Sequence, residues 1–235
     1  MQNQLNNNYF LYRNVSSENY RNYTPPKYLI NLLTNKNLDI LDIGCGFGQL
    51  LKSLKSLGYK NLYGVDVSNE AVDCCKTNQL NVEKISDVIQ WSKTSTKKFD
   101  IIIMMHILEH IEKSLIIPTL IKVREYLLKE NGVLLVTVPN AQSNTGCYWA
   151  YEDFTHTTIF TAGSIYFVLK SAGFKKVEFL DPICLEGLSF YKKMRKIFFY
   201  KLYIFNRNFW NKITSSSYHK PSPQIFSYQI KVLAK

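Results

Sequence analysis

The feature that constrains this chain most is a switch of hydrophobic period that recurs along its first three-fifths. Short apolar runs at Leu38 to Ile43, Asn61 to Val67, Val82 to Ile85, Phe99 to Met105 and Gly132 to Val138 alternate with segments of helical spacing. The strongest runs are continuously apolar, as in parallel strands covered on both faces. Helical patterns follow Pro25-Pro26 (Lys27 to Thr34), run from Leu50 to Leu57 until Gly58, and follow Ser68 as cap (Asn69 to Thr77). A longer one spans Ile111 to Leu128, with a bend expected near Pro118. After an irregular stretch, Ala141 to Phe160, come a helix (Ala162 to Ala172), a strand (Lys175 to Leu180) and a last strand (Phe226 to Leu233). The pattern predicts an α/β fold, a doubly wound seven-stranded, mostly parallel sheet with a helical insertion before the last strand. Residues 1–37 read as an N-terminal cap segment, and 38–235 as one domain that includes the insertion at about 183–225.

In such a sheet, ligands bind at the carboxyl ends of the strands. The first run ends Asp42-Ile43-Gly44-Cys45-Gly46-Phe47-Gly48, where glycines permit a tight turn and close approach of a ligand. The next ends Gly64-Val65-Asp66-Val67, which puts Asp66 22 residues after Gly44, close to the spacing of a ribose-binding acid. The dinucleotide pattern G-x-G-x-x-G fails, because Gln49 stands where its third glycine would be. A pyrophosphate favours a helix N-terminus without adjacent negative charge. Asp42, just before the glycines, suits a ligand that carries an ammonium instead.

These residues resemble the first motif of class I S-adenosylmethionine-dependent methyltransferases, and the resemblance runs from about Leu38 to Asp181. It implies S-adenosyl-L-methionine as cofactor, with Asp42, Gly44, Cys45, Gly46 and Gly48 forming the binding loop. By the same resemblance Asp66 and Val67 hold the ribose, Asp87 and Val88 flank the adenine, and Met105 and His106 line the methyl-donor site.

His106-Ile107-Leu108-Glu109-His110 spells H-x-x-E-H, a zinc motif when it lies on a helix. Here it straddles the end of a strand, so helical i, i+4 geometry fails for His106 and no metal site is expected. The segment also resembles a branch of methyltransferases of quinone, small-molecule and surface-glycan biosynthesis, which implies that His110 faces the acceptor. Asp153 and His156 lie in the irregular stretch, where this fold builds acceptor pockets, and their Asp-x-x-His spacing could pair carboxylate with imidazole. Hydroxyl methylation needs a base as the bond forms, so the candidate catalytic residues are His110 and His156, with Asp153 as orienter. No Asn/Asp-Pro-Pro-Tyr segment follows the fourth strand, which argues against amine methylation of a nucleic acid. The branch resemblance points first to a sugar hydroxyl in bacterial surface polysaccharide, and second to a quinone precursor or other small metabolite. A catalytically inactive binding domain is the reading from another class.

The net charge of +11 would suggest a nucleic-acid partner if it were spread over a working face. It is not spread. Ser189 to Lys235 hold ten Lys or Arg and no Asp or Glu, which leaves 19 basic and 18 acidic residues elsewhere. The excess coincides with the insertion, where Phe190 to Trp210 carry nine aromatics in 21 positions without Gly or Pro. A helix is expected there, its aromatics falling on nearly every face. It is expected to pack on the domain or a partner subunit, with an anionic membrane surface as the alternative for residues 189–215. Five cysteines without C-x-x-C fit a reducing compartment, and the polar stretch Met1 to Asn8 lacks a signal core. A cytoplasmic protein follows, at most peripheral at a membrane, acting on a small-molecule or glycan acceptor.

Overall fold

The computed structural model describes residues 9–235. The reading of Met1 to Asn8 lies outside them. A short helix α1 (Tyr9–Tyr12), a 3-10 turn (Ser17–Tyr20) and α2 (Lys27–Leu32) precede the sheet. Then β1 (Asp39–Ile43), α3 (Gln49–Ser56), β2 (Asn61–Asp66), α4 (Asn69–Thr77), β3 (Val82–Lys84), α5 (Val88–Thr94) and β4 (Phe99–Met105) alternate. A 3-10 turn (Leu108–His110) leads to α6 (Lys113–Lys122) and β5 (Leu128–Pro139). The chain closes with α7 (Gly146–Glu152), α8 (Ala162–Ser171), β6 (Val177–Phe179), α9 (Phe190–Ile213) and β7 (Gln229–Ala234).

The seven strands lie in the order β3-β2-β1-β4-β5-β7-β6. The first five run parallel, and β7 enters antiparallel between β5 and β6. Strand order therefore reverses between β1 and β4, which opens a crevice at their carboxyl ends. β1 and β4 are buried on both faces, which is why they read as unbroken apolar runs. One face packs Leu41, Ile43, Ile102 and Met104 against α6 and α8; the other packs Ile40, Ile101 and Ile103 with Leu29 and Leu54.

The predicted strands are all present, with shifted ends. β5 begins at Leu128, because the preceding helix gives out into a π turn at Val123–Leu127. Pro118 lies inside α6 and does not end it. β7 starts at Gln229 rather than Phe226: the buried Asn140 side chain donates to the carbonyls of Ile225 (2.7 Å) and Ser227 (2.8 Å), pinning that segment off the sheet. The helices α5 and α7 were not legible as such. Asp87 caps α5 by accepting the Gln90 N–H at 2.8 Å.

The insertion is the 24-residue helix α9, and none of its residues is buried. Its aromatics fall on nearly every face, as expected from sequence, with Phe190, Phe199 and Trp210 exposed to the sides of an inward and an outward row. Tyr200, Tyr203 and Arg207 turn inward: Tyr203 donates to Asn144 Oδ1 (2.8 Å), and Arg207 stacks on Phe226 between Tyr203 and Tyr218. Tyr191, Met194, Phe198, Leu202, Phe205, Phe209 and Ile213 recur at three- and four-residue steps and are each half or more exposed. Packing on the domain thus accounts for one face only. No helix among the described residues is long and apolar enough to cross a membrane.

Candidate active site

The glycine loop turns between β1 and α3 through left-handed conformations at Gly44 (φ 74°), Gly46 (φ 52°) and Gly48 (φ 75°). Space forbids side chains as well: a Cβ on Gly44 would lie 1.9 Å from Ile107 Cδ1. That contact also sets the loop directly against the turn that follows β4. Asp66 locks the loop from β2. Its Oδ2 accepts the Gly46 N–H and its Oδ1 the Ser68 N–H, both at 2.8 Å, and each oxygen keeps a further lone pair. Cys45 is buried beneath the loop.

Asp42 is buried at the end of β1. Burial, and then the neighbouring Asp66, push its carboxyl up to about 8. Burial also raises Asp66, against the N–H bonds it accepts. Two buried, neighbouring carboxyls thus stand at the adjacent ends of β1 and β2.

At the end of β4, His106 adopts a left-handed conformation (φ 56°), costly for a side chain of this kind, and its N–H donates to Thr137 O at 2.8 Å. The chain swings from there into the 3-10 turn, so His106 and His110 do not share a helical face, as the sequence suggested. His106 Nδ1 lies 3.2 Å from Oε1 of the fully buried Glu109, while Glu109 Oε2 has no partner among the described residues.

His110 and His156 come together across 46 residues of sequence, with ring centroids 4.7 Å apart. Trp149 O, an acceptor only, lies 2.6 Å from His156 Nδ1. His156 Nδ1 therefore carries the proton and Nε2 the lone pair. Thr155 settles His110 in the same way. Its hydroxyl donates to Asp153 Oδ1 at 2.6 Å, so its oxygen accepts from His110 Nδ1 at 2.8 Å. Burial first, with the neighbouring His156, depresses His110. The expected Asp153–His156 pair is not a hydrogen bond: the closest approach is 4.0 Å. Asp153 orients His110 through Thr155 instead. Burial alone would raise the Asp153 carboxyl, but hydrogen bonds from Thr155 and Tyr9 outweigh it and hold it at about 2.

The two halves meet under the N-terminal segment, whose part in the site was not legible in sequence. The Tyr9 hydroxyl donates to Asp153 Oδ2 at 2.7 Å, and burial and that bond push its own pKa up. The next ring, Phe10, stacks on Phe47 of the glycine loop at 4.5 Å. Arg13 donates to Glu152 O (2.9 Å) and pairs with Asp153 (3.7 Å). On the acceptor side lies an open cavity of about 330 Å³, lined by Tyr9, Arg13, Glu109, His110, Trp149 and His156 among others.

A seven-stranded sheet with β7 reversed, a glycine loop after β1 and an acid at the end of β2 define a class I S-adenosylmethionine-dependent methyltransferase. The comparisons agree. A family model described as a methyltransferase domain matches residues 18–178, and the chain belongs to that family. A methyltransferase structure from Archaeoglobus fulgidus superposes with a TM-score of 0.63 at 22% identity, covering 97% of this chain and 99% of that one. The magnesium protoporphyrin IX methyltransferase of Synechocystis, with bound SAH, gives 0.53 at 14%, covering 88% and 80%. Among curated proteins, the ubiquinone biosynthesis O-methyltransferase of Pelagibacter ubique is 34% identical over 109 residues, 45% of this chain and 43% of its own length. That of Coxiella burnetii is 28% identical over 160 residues, 66% and 63%. The chain thus spans about half the length of the curated relatives it matches.

Proposed function

We propose that this chain transfers the methyl group of S-adenosylmethionine to a hydroxyl of a small cyclic acceptor, in the class of quinone precursors. Asp42 takes the cofactor's ammonium, Asp66 its ribose, and the Gly44–Gly48 backbone its close approach, with Asp87, Val88, Met105 and His106 along the remaining wall. The observation that carries the reading is the pair of imidazole Nε2 lone pairs in the cavity under Tyr9, at the carboxyl end of the sheet. A hydroxyl oriented there can lose its proton as its oxygen attacks the methyl carbon, while the C–S electron pair stays on sulfur. Alignment of oxygen, methyl and sulfur supplies much of the acceleration. The relatives named for ubiquinone biosynthesis support an aromatic acceptor over the sugar expected from sequence. The test is labelled-methyl transfer into hydroxylated benzoate and quinone precursors, compared with sugar nucleotides. Label in the aromatic fraction that falls at least roughly 100-fold in His156→Ala supports the reading, as expected for loss of a positioned base. Label confined to the sugars overturns it.

The acceptor of this reading is apolar, and α9 offers a way to meet one. Its outward stripe, from Tyr191 to Ile213, is accompanied by seven Lys or Arg within the helix and no acid. Such a helix lies at the surface of an anionic bilayer with its aromatic stripe among the headgroups. Flotation with phosphatidylglycerol vesicles should recover the chain, phosphatidylcholine vesicles should not, and Phe198→Ser/Leu202→Ser/Phe205→Ser should stay at the bottom. Equal recovery of parent and triple variant would refute the membrane contact.

A further inference from the structure

We infer that Glu109, His110 and His156 form a binding site for one divalent transition-metal ion at the acceptor end of the cavity. The inference rests on the reading of that cavity as the acceptor site, and it departs from the sequence expectation of no metal. One ligand atom from each residue lies within 4.8 Å of the others. Two imidazoles and one carboxylate are a set that zinc, cobalt, iron and manganese accept.

Three independent features point to an ion rather than to ordinary packing. The first is Glu109, fully buried with Oε2 lacking a partner among the described residues, a costly state unless something arrives to meet it. The second is the supporting shell. His156 is fixed through Nδ1 by the Trp149 carbonyl and His110 through Nδ1 by Thr155, so both Nε2 lone pairs are oriented before any ligand binds. Ligating histidines are held in this way, by a bond from the second ring nitrogen. The third is charge. Asp153, the other carboxylate nearby, is already matched by Arg13, Thr155 and Tyr9, whereas the Glu109 carboxylate has, among the described residues, a hydrogen bond to the His106 ring alone.

The sequence motif H-x-x-E-H misled by naming His106. The turn at His106 removes that residue from helical register, and His156, from a distant loop, supplies the second imidazole. Bonds of roughly 2.0–2.2 Å to one ion require ligand atoms closer than 4.8 Å, so the site tightens on loading. An ion there would occupy both Nε2 lone pairs, so in the loaded chain it would replace the imidazoles in activating the acceptor: positions left open toward the cavity would take the acceptor oxygen, whose proton would leave more readily to solvent.

The test uses the full chain, stripped with chelator, without acceptor. Titration with Co2+ should give visible ligand-field absorption saturating at one ion per chain, reversed by Zn2+. Glu109→Gln and His156→Ala should each weaken Zn2+ binding at least roughly 10-fold while S-adenosylmethionine still binds. Should either variant misfold, the parent chain decides: with labelled histidines, Zn2+ should shift the His110 and His156 resonances. No saturable uptake, uptake unchanged in His156→Ala, or shifts confined to His106 or His219 would overturn the inference. Metal uptake is read without turnover. A chain that binds the ion yet methylates nothing would therefore refute the proposed function alone.

Discussion

The cofactor half of the crevice and its acceptor half are built in opposite ways. Asp42, the three loop glycines and Asp66 come from two consecutive strand ends, and adjacent β1 and β2 hold them in register. The acceptor half gathers Tyr9, Glu109, His110, Asp153 and His156 from three separate segments, held together largely by side-chain bonds and by the Thr157 N–H on the Glu109 carbonyl (2.7 Å). A site laid out along the backbone tolerates change in its side-chain partners but not in its conformation. A site assembled by side chains should lose its function piece by piece while the fold survives.

The sharpest way to break this comparison is at Gly44. Gly44→Ala adds a left-handed penalty of about 1–2 kcal/mol to a collision with Ile107 Cδ1. Calorimetry should find S-adenosylmethionine binding abolished and the melting temperature lowered by several degrees. On the other side, Tyr9→Phe removes a hydrogen bond to an ionised carboxylate, a loss of about 1–2 kcal/mol. It should reduce methyl transfer and stability modestly with cofactor affinity unchanged. Equal loss of cofactor binding in both variants would show that the halves are not separable.

Asp42 gives a test by pH. Its folded-state value of about 8 lies above that of an unfolded carboxyl. Its contribution to stability is therefore present at low pH and lost between about 4 and 8. An ammonium ligand favours the ionised form, so cofactor affinity should rise from pH 6 to 8, with proton release on binding measured in buffers of different ionisation heat. A flat profile would remove Asp42 from the ammonium site. The smallest effect is expected far from both halves. Lys129 bridges Asp39 (2.6 Å) and Asp100 (2.8 Å) at the opposite end of the sheet. Burial would raise Asp100, but the bond from Lys129 outweighs it and lowers its pKa, a contribution present above the usual carboxylate range and lost in acid. Lys129→Met should change stability by less than about 1 kcal/mol and leave cofactor binding untouched.

The same division governs what could be read from sequence. The glycine loop and Asp66 were legible because their chemistry lies in contiguous residues at fixed spacing. Tyr9 was not, since its partner Asp153 is 144 residues away. Asp153 and His156 were found, but their relation was misjudged, because an i, i+3 spacing carries no information about a loop's turn. The loop gives Asp153 to Thr155 and His156 to the Trp149 carbonyl. In α9 the composition pointed to a basic aromatic helix, yet its facing depended on where Phe226 and Asn144 stand in the folded domain.

The central claim is that cofactor binding depends on the strand ends, Asp66 above all, with the His110–His156 imidazole pair reserved for the acceptor. Calorimetric titration with S-adenosylmethionine tests it most directly. The account predicts one site per chain, intact in His110→Ala and His156→Ala and lost in Asp66→Ala. No binding by the parent chain, or undiminished binding by Asp66→Ala, would contradict it.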